Sequence, residues 1–180
     1  MPTSDREGKE WARDVITRLA PTTVVDVGPG EGTYARLARQ TTPPGCRWIG
    51  VEAWGPYVAR FGLRDLYDWV IVSDIRHLDP WSVERQPDLV ILADVLEHME
   101  QAEARAVLAR MRDWAHHVLV SIPLAHCQQG AYEGNWFEIH RGHWTAAQMR
   151  RELGKGLVEY REGDVLGYYL WSADRARSGR

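Results

Sequence analysis

The chain predicts an α/β fold: a doubly wound, mostly parallel sheet closed by an antiparallel hairpin. Three observations carry that reading. Short apolar, β-branched runs alternate with segments of helical periodicity. The first run opens into a bend carrying glycine at every second place. The last two runs are separated only by Glu162 to Asp164, a turn and not a crossover.

Residues 5 to 19 carry Trp11, Val15, Ile16 and Leu19 at helical spacing, with Ser4 or Asp5 as the expected cap and Pro21 as the stop. TTVVDV is a fully apolar run of the kind found in sheets covered on both faces, and GTYARLARQ returns to helical spacing. CRWIGVE (46–52), DWVIVSD (68–74) and DLVILAD (88–94) read as further strands, with YVARFGLRDL as a short helix after the first of them. Between Gln101 and Ala115 the residues Ala104, Val107, Leu108, Met111 and Trp114 fall on one stripe. HHVLVSIP is the fifth strand of a strand-and-helix alternation, TAAQMRREL is a last helix, and GLVEYREGDVLGYYLWSA makes the hairpin.

At 180 residues, one domain spanning 1–180 is expected, with no interdomain linker, repeat or low-complexity tract. Hydrophobic residues at 44% and charged residues at 26% fit an ordinary globular chain, and no run approaches the roughly 18 apolar residues of a membrane helix. The N-terminus has no apolar targeting core and only Cys46 and Cys127 occur, so a reducing, cytoplasmic setting is expected. A net charge of −3 without a basic face argues against nucleic acid as partner, and Arg175, Arg177 and Arg180 read as a solvated tail. The preference for Arg, with Lys only at 9 and 155, suggests a GC-rich coding genome and says nothing about function.

The glycine bend is VVDVGPGEGTY, with Gly28, Gly30 and Gly32 in the place where an α/β sheet lets a ligand approach bare backbone. A dinucleotide-binding turn wants its third glycine at 33, where Thr33 stands. Asp26 precedes the turn, and its carboxylate repels a pyrophosphate but welcomes an ammonium group. Glu52, about 20 residues past the turn, stands where a carboxylate accepts hydrogen bonds from ribose hydroxyls. Asp74, the backbone of Ile75 and the ring of Trp54 are placed to frame an adenine.

Taken together, VVDVGPGEGTY, Glu52, the SDI of 73–75 and DLVILADVLEHM (88–99) resemble the class I S-adenosylmethionine-dependent methyltransferases of the type 11/12 group. The resemblance implies a Rossmann-like sheet of seven strands in the order 3-2-1-4-5-7-6. It implies S-adenosylmethionine as cofactor. Asp26 and the glycine turn would hold its methionine end, Glu52 the ribose, Asp74 and Ile75 the adenine, and Ala93 with Asp94 the edge near the sulfonium; Tyr34, Ala53 and Trp54 complete the set.

Methyl transfer from a sulfonium needs alignment, exclusion of water and, for some acceptors, a base. The stretch 123–143 is too aromatic for disorder and too long for a plain connection, which makes it the expected acceptor pocket. Within it His126, Tyr132, Glu133 and Trp136 are candidate acceptor contacts, with Trp11, Tyr34 and Trp144 as further wall residues. His140 is the first choice for a general base, oriented by Glu138, and resembles a His that related methyltransferases place near the acceptor; His98, beside Glu97, is the second. The pairs His140/His143 and His116/His117 are too small as ligand sets, so no metal is expected. Cys127 reads as a small core residue and not as a nucleophile.

The sequence therefore points to a methyltransferase acting on an oxygen or nitrogen of a small molecule, with a specialised metabolite as the expected acceptor class. Its compactness suggests an open site, a partner-completed site or a homodimer. A non-catalytic scaffold with the same fold and a nicotinamide-dependent reductase are the alternatives, and Thr33 and the terminal hairpin weigh against the reductase.

Overall fold

The computed structural model describes residues 5–125 and 128–178. Its strands are β1 (Thr23–Val27), β2 (Arg47–Glu52), β3 (Trp69–Val72), β4 (Leu89–Ala93), β5 (His117–Pro123), β6 (Leu157–Glu162) and β7 (Leu166–Ser172). They form one sheet in the order β3-β2-β1-β4-β5-β7-β6, the order implied by the sequence resemblance. The first five strands pair in parallel, whereas β7 runs antiparallel to both β5 and β6.

Helices cover both faces: α1 (Lys9–Leu19), α2 (Thr33–Ala38), α3 (Gly55–Arg60), α4 (Leu63–Leu66), α5 (Gln101–Trp114), α6 (Ala146–Leu153) and α7 (Ala173–Arg177). Strand alternation divides the apolar residues between two cores. Val25, Val27, Val90 and Leu92 pack with Val107, Leu108 and Met111 of α5 and Met149 of α6. Val24, Leu89 and Ile91 pack with Ala12 and Ile16 of α1, Ala35 and Ala38 of α2, and Leu63 of α4. The inner strands β1, β4, β5 and β7 are buried on both sides, which is why they read as largely apolar runs, whereas the edge strands β3 and β6 are partly exposed.

Local signals set most helix ends. In α6, Thr145 accepts from the Gln148 N–H while the Gln148 side chain accepts from the Thr145 N–H, a reciprocal cap. Glu100 and Glu103 do the same for α5. Four expectations are corrected. α1 starts after Gly8, at φ 74°, and not from an Asp5 cap, because the Asp5 carboxylate instead accepts from the Glu7 N–H at 2.8 Å. The helix expected over 57–66 breaks into α3 and α4 at Gly62, whose φ of 62° cannot continue a right-handed helix. The alternation lapses between β3 and β4, where only a 3₁₀ turn, Pro80–Ser82, intervenes. Arg175 and Arg177 of the basic C-terminal stretch fall in α7, anchored by buried Ala173, whose N–H donates to the His116 carbonyl at 2.9 Å, while Arg180 lies outside the described residues.

No helix among the described residues is long and apolar enough to cross a membrane. The chain leaves the carboxyl ends of β1 and β4 in opposite directions, so the sheet carries a crevice where its order reverses.

Candidate active site

The bend after β1 is built from left-handed backbone at Gly28 (φ 63°), Gly30 (φ 52°) and Gly32 (φ 78°), conformations that side chains with a Cβ rarely adopt. The Gly28 N–H donates to the Val51 carbonyl at 2.8 Å and ties the bend to the end of β2. Gly28 and Gly30 line a cleft of about 290 Å³. Gly32 does not; a Cβ there would lie 2.5 Å from Leu66 Cδ1, so this glycine serves the packing of α2 against α4.

Of the cofactor-binding residues expected from the sequence, the cleft brings together Gly28, Gly30, Tyr34, Glu52, Ala53, Asp74, Ile75, Ala93 and Asp94. Asp94 takes a positive φ of 54°, and its carboxylate accepts from the Ser121 hydroxyl at 2.6 Å. Trp54 reaches the site through its backbone, its N–H donating to Glu52 Oε1 at 2.8 Å. Asp26 lies behind the cleft wall. Alternation along β1 turns it toward the α1/α2 core, where the Tyr67 hydroxyl donates to its Oδ2 at 2.6 Å. Gly50 on β2 makes room for that tyrosine, since a Cβ would sit 3.3 Å from the ring.

Burial lifts the Asp26 carboxyl to about 7 against the opposing hydrogen bond from Tyr67. Burial likewise lifts Glu52 to about 7, although the N–H groups of Trp54 and Gly30 pull it down. Asp74 moves the other way. Burial alone would raise it, but hydrogen bonds from Arg76, at 2.7 Å from Nη2 to Oδ2, hold it below the ordinary carboxylate range.

The far wall comes from 128–142. Tyr132 and Asn135 pair across a tight turn with positive φ at both Glu133 (48°) and Gly134 (81°), the geometry of a two-residue hairpin loop. That turn carries Tyr132, Glu133 and Trp136 away from the cleft: Trp136 is 68% exposed and Glu133 pairs with Arg60. Gln129, Asn135, Phe137, Glu138 and His140 line the wall instead. His126 and Cys127 lie outside the described residues. Trp144 is core, and Trp11 packs near Tyr168 with ring centroids 6.1 Å apart.

All three residues expected to be catalytic reach the cleft. Glu138 accepts from the Tyr57 hydroxyl at 3.1 Å and from Gln129 Nε2 at 3.1 Å. The rings of His98 and His140 stand edge to face with centroids 4.9 Å apart. The Glu97 carbonyl accepts from the N–H groups of Arg141 (2.8 Å) and Gly142 (3.0 Å), which brings His140 back to the turn after β4. Burial, reinforced by Asp94, pushes the Glu97 carboxyl well up; burial and His140 push His98 down.

Sequence reasoning missed Lys9, a cation in this carboxylate-rich cleft, its Nζ 5.2 Å from the centroid of the Tyr34 ring. The available signal was its rarity, since the chain has only two lysines and this one opens an amphipathic helix. Nothing in the sequence marked Gln129 or Asn135, which the loop fold alone places.

A family model described as a methyltransferase domain matches residues 4–160. No curated protein matches the sequence. Among solved structures, the N-terminal domain of EvdMO1, crystallised in the presence of S-adenosylhomocysteine and D-fucose, is similar over 94% of this chain and 84% of its own, at 15% identity and a TM-score of 0.67. Magnesium protoporphyrin IX methyltransferase from Synechocystis PCC 6803, with bound S-adenosylmethionine, is similar over 92% and 79%, at 18% identity and a TM-score of 0.62. TehB from Haemophilus influenzae is similar over 94% and 63%, at 12% identity and a TM-score of 0.68. At these identities the likeness is one of fold.

Proposed function

The chain belongs to the methyltransferase-domain family, and from that premise we propose that it transfers a methyl group from S-adenosylmethionine to an oxygen or nitrogen of a small molecule. One observation carries the reading: bare backbone at Gly28 and Gly30 faces the same cleft as the buried carboxylate of Glu52, where the sheet order reverses. These residues fit the cofactor. A Cβ at Gly28 would press within 2.9 Å of Val95, so the turn is kept open at the cost of any side chain.

When bound, S-adenosylmethionine supplies an electrophilic methyl carbon on a sulfonium. Glu52 would accept from its ribose hydroxyls, Asp74 and Ile75 would flank its adenine, and Ala93 and Asp94 would form the floor. Lys9, which lines the same cleft, would attract the methionine carboxylate. Val95, Met99 and Phe137 give the cleft an apolar lining that would limit water around the transferring methyl. His98 and His140 line the same cleft and would take up a proton where the acceptor has one to lose.

A small acceptor is supported by the size of the cleft and by neighbours of the same fold, among them the EvdMO1 domain crystallised with D-fucose and the pyocyanin biosynthetic protein PhzM. A specialised metabolite is the acceptor class we favour. Calorimetric titration with S-adenosylhomocysteine tests the cofactor assignment: one site per chain is expected, and no detectable binding rejects the reading.

A further inference from the structure

We propose that Glu97, His98 and His140 bind one divalent transition-metal ion in the wall of the cleft. The three residues offer ligand atoms that all lie within 4.8 Å of one another. Bonds of about 2.1 Å to nitrogen and oxygen place adjacent ligands roughly 3 to 3.5 Å apart, so small side-chain rotations close the set on an ion.

Glu97 supplies the second, independent observation. Its side chain lines the cleft, the residue is 2% exposed, and its Oε2 has no hydrogen-bond partner among the described residues. A buried carboxylate oxygen left unpaired is costly, and Asp94 and Glu138, which line the same cleft, are also acidic. A cation at this point resolves both problems.

His98 is already oriented as a ligand. Its Nδ1 stands 3.3 Å from the Ile139 carbonyl, which can only accept, so Nδ1 carries the hydrogen and Nε2 keeps its lone pair. The backbone is shaped to bring in the third ligand. Gly142 passes so close to Met99 that a Cβ would lie 2.7 Å from its carbonyl oxygen, and this approach delivers His140 from 42 residues downstream of His98. The cluster is not either of the histidine pairs visible in the sequence. His116, His117 and His143 lie outside it.

Two imidazoles and one carboxylate leave positions open toward the cleft, the pattern of a catalytic site and not of a closed structural one, and the mixed donors suit zinc, manganese, iron or cobalt. Resting on the methyltransferase reading, this assignment narrows the acceptor to a hydroxyl compound. An oxygen bound at an open position is held in place and gives up its proton to water more readily.

The test is a titration of chelator-treated, full-length protein with cobalt(II) chloride, read by visible absorption and by calorimetry, without cofactor. One ion per chain is expected. Glu97→Gln, His98→Asn and His140→Asn should each weaken binding at least about tenfold, while His117→Asn at the far end of β5 leaves it unchanged. Should Glu97→Gln not fold, His140→Asn on the loop decides the matter. Absence of stoichiometric binding, or binding indifferent to these three positions, overturns the site. Because S-adenosylhomocysteine binding is measured separately, loss of the metal site and loss of the cofactor site give different results.

Discussion

Replacing Glu52 by glutamine should make the protein more stable at alkaline pH while weakening its hold on cofactor. Burial lifts this carboxyl from an ordinary 4.5 to about 7, a rise worth about 3 kcal/mol. Because the folded value lies above the unfolded one, the native state binds the extra proton between those limits. Stability therefore falls as pH climbs from about 4.5 to about 7, and the loss is complete above 7. Glutamine carries no charge and escapes that loss. Its Oε1 keeps the hydrogen bond from the Trp54 N–H, but its amide nitrogen meets the Gly30 N–H, donor against donor, at a cost of about 1 kcal/mol. The net expectation is a gain of roughly 2 kcal/mol at pH 8.5, shrinking to nothing or a slight loss at pH 5. Urea unfolding followed by circular dichroism at both values measures it. In parallel, affinity for S-adenosylhomocysteine should drop by about 1 to 3 kcal/mol as a charged acceptor for the ribose disappears. A stability difference that is the same at both pH values, or a variant less stable than wild type at pH 8.5, would refute the assignment of Glu52 as a buried carboxylate held against its desolvation.

Two further changes probe the support beneath the site. Tyr67→Phe removes the 2.6 Å hydrogen bond that opposes the lifting of Asp26, so the Asp26 carboxyl should rise beyond about 7. The variant should lose about 1 to 3 kcal/mol, more at pH 8.5 than at pH 5, in the same unfolding assay; an equal loss at both would show that Asp26 is already neutral. Gly32→Ala places a side chain at φ 78° and within 2.5 Å of Leu66 Cδ1. A loss of about 1 to 3 kcal/mol in chemical denaturation is expected, and a neutral result would mean that α2 shifts freely on α4.

Strand identity was readable because parallel strands covered on both faces are almost wholly apolar, as in LVILA and, Asp26 apart, VVDV. That same property hid the direction of Asp26. With no polar face in β1, nothing in the run said which side of the sheet its carboxylate would take, and it took the side of Tyr67. While its Thr145/Gln148 cap was recognised only in the structure, the helix over 146–153 was legible from its period. The gap between β3 and β4 was not, since a run of helices and strands predicts its own continuation. In 128–142 the residue types were informative about function and silent about direction: a Glu133-Gly134 turn decides that Trp136 faces solvent while Phe137 and His140 face the cleft.

By itself, then, the sequence determined what depends on neighbours along the chain: the elements, the glycine bend and the carboxylate that follows the second strand. These are set by backbone stereochemistry and by hydrophobic periodicity within a few residues. Only the tertiary structure decided which titratable groups share a cleft, for Glu97 and His98 meet His140 through a backbone contact across a loop, and the close approach that Gly142 permits has no signature in local order.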